Sequence, residues 1–193
     1  MQRRILLVGV LILALILTVL AVVMFTNSPS TFRGTVYNPP IPAANIALTD
    51  YNGHPFLSHD LRGKVVLVFF GYTNCPDECP LTMAKLKQTF DLLGSQGTDA
   101  RVLLVTTDPA RDNADALKKY LAQFNPAFMG LTGTPEELQN VWRDYGVAVM
   151  DAGATHSNRV YVIDRAGSLR LTFPYEMEPD AMASDLRILL GEK

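Results

Sequence analysis

Cysteine and histidine are scarce in this 193-residue chain, with two of the first and three of the second. Cys75 and Cys79 allow at most one disulfide, so the fold must rest on an apolar core. A chain of this length supports one such core comfortably and two poorly. Basic charge is sparse as well. Without Arg3 and Arg4, 15 lysines and arginines stand against 19 acidic residues, and nowhere do basic residues form a run. A nucleic-acid footprint requires clustered basic side chains, so that class of partner is excluded. Internal repeats, low-complexity segments and a glycine-rich nucleotide fingerprint are missing too. No Arg- and Ser-rich transit peptide heads the chain, which suits a bacterial envelope better than an organelle.

Apolar residues make up 48% of the sequence, and much of the excess lies at the start. Over residues 5–25 only Gly9 and Thr18 interrupt strongly apolar side chains and alanine. As a helix this run measures about 31 Å, the thickness of a bilayer core. It ends in Val22-Val23-Met24-Phe25, a poor cleavage site, and no cysteine follows that could carry a lipid. The reading is an uncleaved anchor behind a short cytoplasmic stub, residues 1–4. Arg3 and Arg4 precede the span, and the next charge is Arg33. That asymmetry places the remainder on the extracytoplasmic side of a bacterial cytoplasmic membrane, as a single-pass protein. Residues 26–44 carry Pro29, Pro39, Pro40 and Pro42 among small polar residues and read as an extended tether. The globular domain is expected over residues 45–193.

Within it, Asn52-Gly53 marks a hairpin turn, because both positions tolerate positive φ. Val65-Val66-Leu67-Val68-Phe69-Phe70 is too short for a buried helix and reads as a strand covered on both faces, as do residues 102–106. Between them Met83, Leu86, Phe90 and Leu93 recur at helical spacing, and later Leu117, Tyr120, Leu121 and Phe124 do the same. Thr134-Pro135 with Glu137 predicts a capped helix that buries Leu138, Val141, Trp142 and Tyr145 and stops at Gly146. A hairpin through Asp164-Arg165-Ala166-Gly167 and a last helix with Met182, Leu186 and Leu189 follow. This order predicts a thioredoxin-like, three-layer α/β domain, with the N-terminal hairpin and inserted helix of the peroxiredoxin-like branch. Both buried strands end at chemically distinctive loops, where open α/β sheets place their sites.

The two cysteines sit in Gly71-Tyr72-Thr73-Asn74-Cys75-Pro76-Asp77-Glu78-Cys79-Pro80, between a strand and a helix start. A helix N-terminus favours thiolates, the form that ligates metals and attacks disulfides. A disulfide closing so short a loop stabilises by only about 2 kcal/mol on the chain-entropy model, which argues for reactivity or ligation. Thioredoxins place two residues between their cysteines and a cis-proline opposite them. Here Pro76, Asp77 and Glu78 intervene, and the facing segment Ala154-Thr155-His156-Ser157-Asn158-Arg159 offers a histidine. Cys75, Cys79 and His156 therefore form a candidate metal site. Two thiolates satisfy Cu(I), and the imidazole extends the site to Cu(II). Three protein ligands leave a position open for exchange.

The run of residues 71–80 resembles the G-Y-T-x-C-P-D-x-C-P signature of the Sco/SenC family of copper proteins, and the resemblance extends from about residue 32 to the C-terminus. It implies a copper chaperone for the CuA centre of cytochrome c oxidase subunit II, with Cys75, Cys79 and His156 as ligands. Thr107-Asp108-Pro109-Ala110-Arg111-Asp112 is similar to the family's D-P-x-R-D segment. Asn113-Ala114 replaces a frequent Thr-Pro, and Thr155 a frequent aspartate. The rival reading is an enzyme, a thiol-disulfide oxidoreductase that keeps the CuA cysteines reduced, with Cys75 and Cys79 as a redox pair. Other copper chaperones and thiol reductases are further candidate partners, and a copper-sensing regulator is a third reading. Among secondary candidates, His54 and His59 read as solvated, and Met83 as core before auxiliary ligand. Asp77 and Glu78 tune charge or meet a partner. Asp108 reads equally as a turn residue or a shaper of the site, and Arg111 with Asp112 as a local ion pair.

Overall fold

The computed structural model describes residues 14–18, 31–149 and 158–192. The chain divides into two units, residues 1–31 and 32–193. In the first, residues 14–18 are helical, and the Thr18 hydroxyl donates to the Ala14 and Leu15 carbonyls at 2.9 and 2.8 Å. No helix among the described residues is long and apolar enough to cross a membrane. The remainder of the span expected over residues 5–25 lies outside them.

The second unit is built on one sheet. Its strands are β1 (Thr35–Pro42), β2 (Ala47–Asp50), β3 (Pro55–Leu57), β4 (Val65–Gly71), β5 (Ala100–Thr106), β6 (Phe128–Thr132), β7 (Arg159–Ile163) and β8 (Ser168–Pro174). They lie in the order β1-β8-β7-β4-β5-β6-β2-β3. The pairs β4–β5 and β5–β6 are parallel, and every other neighbouring pair is antiparallel. The helices are α1 (Glu78–Leu93), α2 (Ala114–Leu121), α3 (Pro135–Asp144) and α4 (Pro179–Gly191).

The alternation of side chains along β4 creates two cores. Val65, Leu67 and Phe69 point to one face, against Met83 and Leu86 of α1, Leu117 of α2, and Met182 and Leu186 of α4. Val66, Val68 and Phe70 point to the other, against Leu138 and Val141 of α3. Every residue of β4 is buried, so the central strand reads as unbroken apolar sequence. Helices on both faces of a mixed sheet form the expected three-layer α/β arrangement. The capping box at Thr134 is present, with the Thr134 N–H donating to Glu137 Oε2 at 2.8 Å and the Glu137 N–H to Thr134 Oγ1 at 3.3 Å. Gly53 and Gly167 take positive φ of 82° and 81° in the two expected hairpin turns.

Two segments depart from the sequence reading. The tether expected to reach residue 44 gives way at Thr35 to β1, which pairs with β8 through Thr35↔Thr172 and Val36↔Leu171, then Ile41↔Leu169. The register breaks between Val36 and Ile41, where Pro39 and Pro40 fall. Proline lacks the ladder N–H, and an edge strand with a break is where a sheet accommodates it. The strand is anchored by the buried carboxylate of Asp185 on α4, which accepts from the Arg33 N–H at 3.0 Å and the Gly34 N–H at 2.8 Å. The second departure is β6, which extends the parallel core beyond β5. Gly130 at its centre lies so close to α2 that a Cβ there would sit 2.9 Å from Leu117 Cβ.

Candidate metal centre

Parallel β4 and β5 end side by side, with Gly71 paired to Thr106. The loops that follow carry the cysteines and the residue-107–112 segment, and a bond from the Thr107 N–H to the Gly71 carbonyl (2.9 Å) holds them together. The chain then turns through Tyr72 into α1. Asp77 is the N-cap of that helix but makes no side-chain capping bond. The orphan N–H of Cys79, in the first turn, instead donates to Cys75 Sγ at 3.3 Å. A sulfur thus does the work of a capping oxygen, which suits a thiolate at the positive end of a helix.

Both cysteines are free thiols, Cys75 half-buried and Cys79 buried. Their acidities diverge. Burial works against ionisation of Cys75, but the N–H groups of Cys79 and Asp77, the Cys79 thiol and the Tyr72 phenol together bring its pKa below the ordinary thiol value. Burial pushes Cys79 far up, opposed by the Tyr72 N–H and reinforced by the charges of Cys75 and Glu78. The expectation that the helix end favours both thiolates therefore holds for one sulfur only. Two phenols, Tyr72 buried and Tyr120 half-buried, belong to the surroundings. Burial first, then the charge of the sulfurs, raises the pKa of Tyr72 and of Tyr120. The Arg111 guanidinium lies 5.9 Å from the Tyr72 ring centroid.

Arg111 and Asp112, read as a local ion pair, do not pair with each other. Arg111 Nε donates to Asp108 Oδ2, so Asp108 is a buried, ion-paired turn residue whose partner is exposed. Asp112 is fully buried and turns inward. It accepts from the Thr73 N–H at 3.0 Å, from Thr73 Oγ1 at 2.5 Å and from Thr106 Oγ1 at 2.7 Å. Sequence spacing favoured the adjacent partner; the buried turn after β5 decided otherwise. Asn113 caps α2 as its type suggests, accepting from the Ala116 N–H at 2.9 Å. Met83 is wholly buried in the core beside Cys79. His54 and His59 are solvated next to Asp50 and Asp60. Asp77 and Glu78 are exposed between the thiols. His156 lies outside the described residues, among which no group of three or more His, Cys, Asp or Glu is gathered for a metal.

The family model SCO1/SenC matches residues 41–191. The chain belongs to this family. Mitochondrial SCO2 of Saccharomyces cerevisiae is 34% identical over 139 residues, 72% of this chain and 44% of that protein, so the match covers less than half of that SCO relative. A protein of Stutzerimonas stutzeri named as a putative copper-binding protein is 34% identical over 168 residues, 86% of this chain and 81% of its own. Among solved SCO structures, copper-bound ScoI of Bradyrhizobium japonicum superposes with a TM-score of 0.69 at 31% identity, covering 77% of this chain and 99% of that one.

Proposed function

We propose that this SCO1/SenC protein is a copper metallochaperone whose cargo is held by Cys75, Cys79 and His156 and passed to the CuA site of cytochrome c oxidase subunit II. The observation that carries the reading is the convergence of two reduced thiols on one helix end, one of them acidified and half-exposed. Two soft sulfur donors match Cu(I), and membership of a family with copper-bound structures points the same way. Cys75 supplies a thiolate for capture. Cys79, whose proton is held by burial, loses it as copper binds. His156 adds the nitrogen that Cu(II) requires. Because Cys75 is the more accessible sulfur, a partner's ligand displaces it first, and Cu(I) moves between thiolates without change of oxidation state. Cu(I)-loaded full-length chain mixed with an apo CuA domain should lose its metal to the acceptor, and the purple absorption should appear once an added one-electron oxidant, ferricyanide, converts the colourless Cu(I)–Cu(I) product to the mixed-valence centre. Full retention of copper against an excess of acceptor would refute delivery to that site.

The acidity difference between the thiols favours a second reading. A nucleophilic Cys75 thiolate could attack a partner disulfide and form a mixed disulfide, which Cys79 resolves. The partner leaves with two thiols, and Cys75–Cys79 remains oxidised. In either role the protein is placed in the bacterial cytoplasmic membrane by residues 5–25, with the domain from residue 32 outside. Its N-terminal hairpin β2–β3 and the helix α2 inserted between β5 and β6 support the peroxiredoxin-like branch.

A further inference from the structure

Beyond Tyr72, which is buried in the core, the loop that runs to Glu78 lies largely at the surface. Asn74, Pro76 and Asp77 are exposed, Thr73 and Cys75 are half-buried, and the Cys75 N–H reaches the Tyr72 carbonyl only at 3.4 Å. Tyr72 seats the start of the loop in the core and Cys75 packs partly against it, but the N-cap of α1 makes no side-chain bond. A polar tie from another part of the chain fixes the segment between Tyr72 and Cys75. Asp112 spans 39 residues of sequence to take both the N–H and the hydroxyl of Thr73, two positions before Cys75. On its other side it takes the hydroxyl of Thr106, the last residue of β5. Thr106 is fixed in turn: its hydroxyl accepts from the Asp108 N–H at 2.9 Å and its carbonyl from Trp142 Nε1 at 3.1 Å. A carboxylate buried this completely is retained only when its lone pairs are filled, and here three donors fill them.

We propose that Asp112 is the positioning residue of the thiol loop: it ties Thr73 to the end of β5 and so sets where Cys75 Sγ lies relative to the Cys79 N–H. Asp112 touches neither sulfur. It acts by restricting the loop before any ligand arrives, so the donor pair is preorganised and little ordering remains to be done on loading. The inference rests on the reading of Cys75 and Cys79 as copper ligands. Its structural half is independent of metal.

The test compares full-length protein in detergent with Asp112→Asn, Thr106→Val and Asp185→Asn. Asp112→Asn puts an amide donor among groups that are themselves donors. Thr106→Val keeps shape and removes the hydroxyl's bonds to Asp112 and from the Asp108 N–H, while both Thr73 bonds to Asp112 remain. Asp185→Asn alters a carboxylate that is equally buried and that anchors Arg33 and Gly34 instead. In metal-free Asp112→Asn, amide hydrogen exchange at Thr73, Cys75 and Cys79 should accelerate by about tenfold, the scale of losing a charge-assisted bond. The Cu(II)–thiolate charge-transfer band should shift or broaden. Thr106→Val should move both readouts in the same direction by less, and Asp185→Asn should move neither. Acceleration confined to Thr73, or seen equally in Asp185→Asn, would overturn the proposal. Should Asp112→Asn fail to fold, Thr106→Val decides by the same readouts. A chain that binds no copper but shows the exchange pattern refutes the copper reading and leaves the positioning role standing.

Discussion

Gly71 closes β4 directly beneath the thiols, and the space around it is already filled. A Cβ at this position would lie 2.8 Å from Phe69 Cε1 and 3.0 Å from Cys79 Sγ. Both neighbours are fully buried, and Phe69 is packed in the core, so neither swings freely aside. Gly71→Ala should therefore destabilise the apo protein by about 1–3 kcal/mol, the usual cost of forcing a methyl into a packed interior. With a urea m-value of about 2 kcal/mol/M, the midpoint falls by about 0.5–1.5 M while m stays constant. Part of that strain is against the sulfur. In a Cys79→Ala background the same glycine substitution should cost at least about 0.5 kcal/mol less, a coupling expected of groups in direct contact. An unchanged midpoint, or an equal cost in both backgrounds, would show that the sulfur does not rest on Gly71 and would undo the packing described for the site.

Cys75 should alkylate before Cys79 at neutral pH. The thiolate is the reactive form, and the lowered pKa shifts the Cys75 rate profile to lower pH than that of an ordinary thiol, whereas Cys79 stays inert to higher pH; mass spectrometry of timed iodoacetamide digests would contradict this if both labelled together. His156→Ala should abolish the Cu(II)–thiolate band and leave Cu(I) binding largely intact, since two thiolates satisfy Cu(I) alone; an unchanged band would remove His156 from the ligand set. A C-terminal alkaline phosphatase fusion should be active in cells whose mature protein still begins at residue 1 or 2, and a soluble form beginning near Asn27 would show a cleaved signal instead.

Strands β4 and β5 were legible because continuous burial leaves an unbroken apolar run, and α3 because Thr134, Pro135 and Glu137 act locally. The turns at Asn52-Gly53 and Asp164–Gly167 were legible for the same reason. Features that depend on distant partners were not. β1 looks like a linker because its prolines and exposed side chains are those of an edge, and it becomes a strand only when β8 and Asp185 are beside it. β6 is short and is broken by Gly130, whose missing side chain is a concession to Leu117 of α2. At the site, the cysteines and their helix-end setting were visible in the residue order. The divergence of their acidities was not, because it arises from burial of Cys79 and from bonds donated to Cys75. The role of Asp112 was hidden as well, since its partners Thr73 and Thr106 are near only in the folded chain.

Measuring thiol titre, bound copper and disulfide turnover on a single preparation decides whether the thiol pair exists to hold copper. A disulfide offers no thiolate, so oxidised protein should bind no copper, and copper-loaded protein should resist oxidation. The short loop stabilises its disulfide by only about 2 kcal/mol, so reduction should restore full loading. Copper should bind one per reduced pair, far more tightly than zinc, with negligible metal-free turnover of an insulin-type disulfide. Rapid metal-free turnover, with copper held no more tightly than zinc, would contradict it and make the protein a thiol-disulfide oxidoreductase.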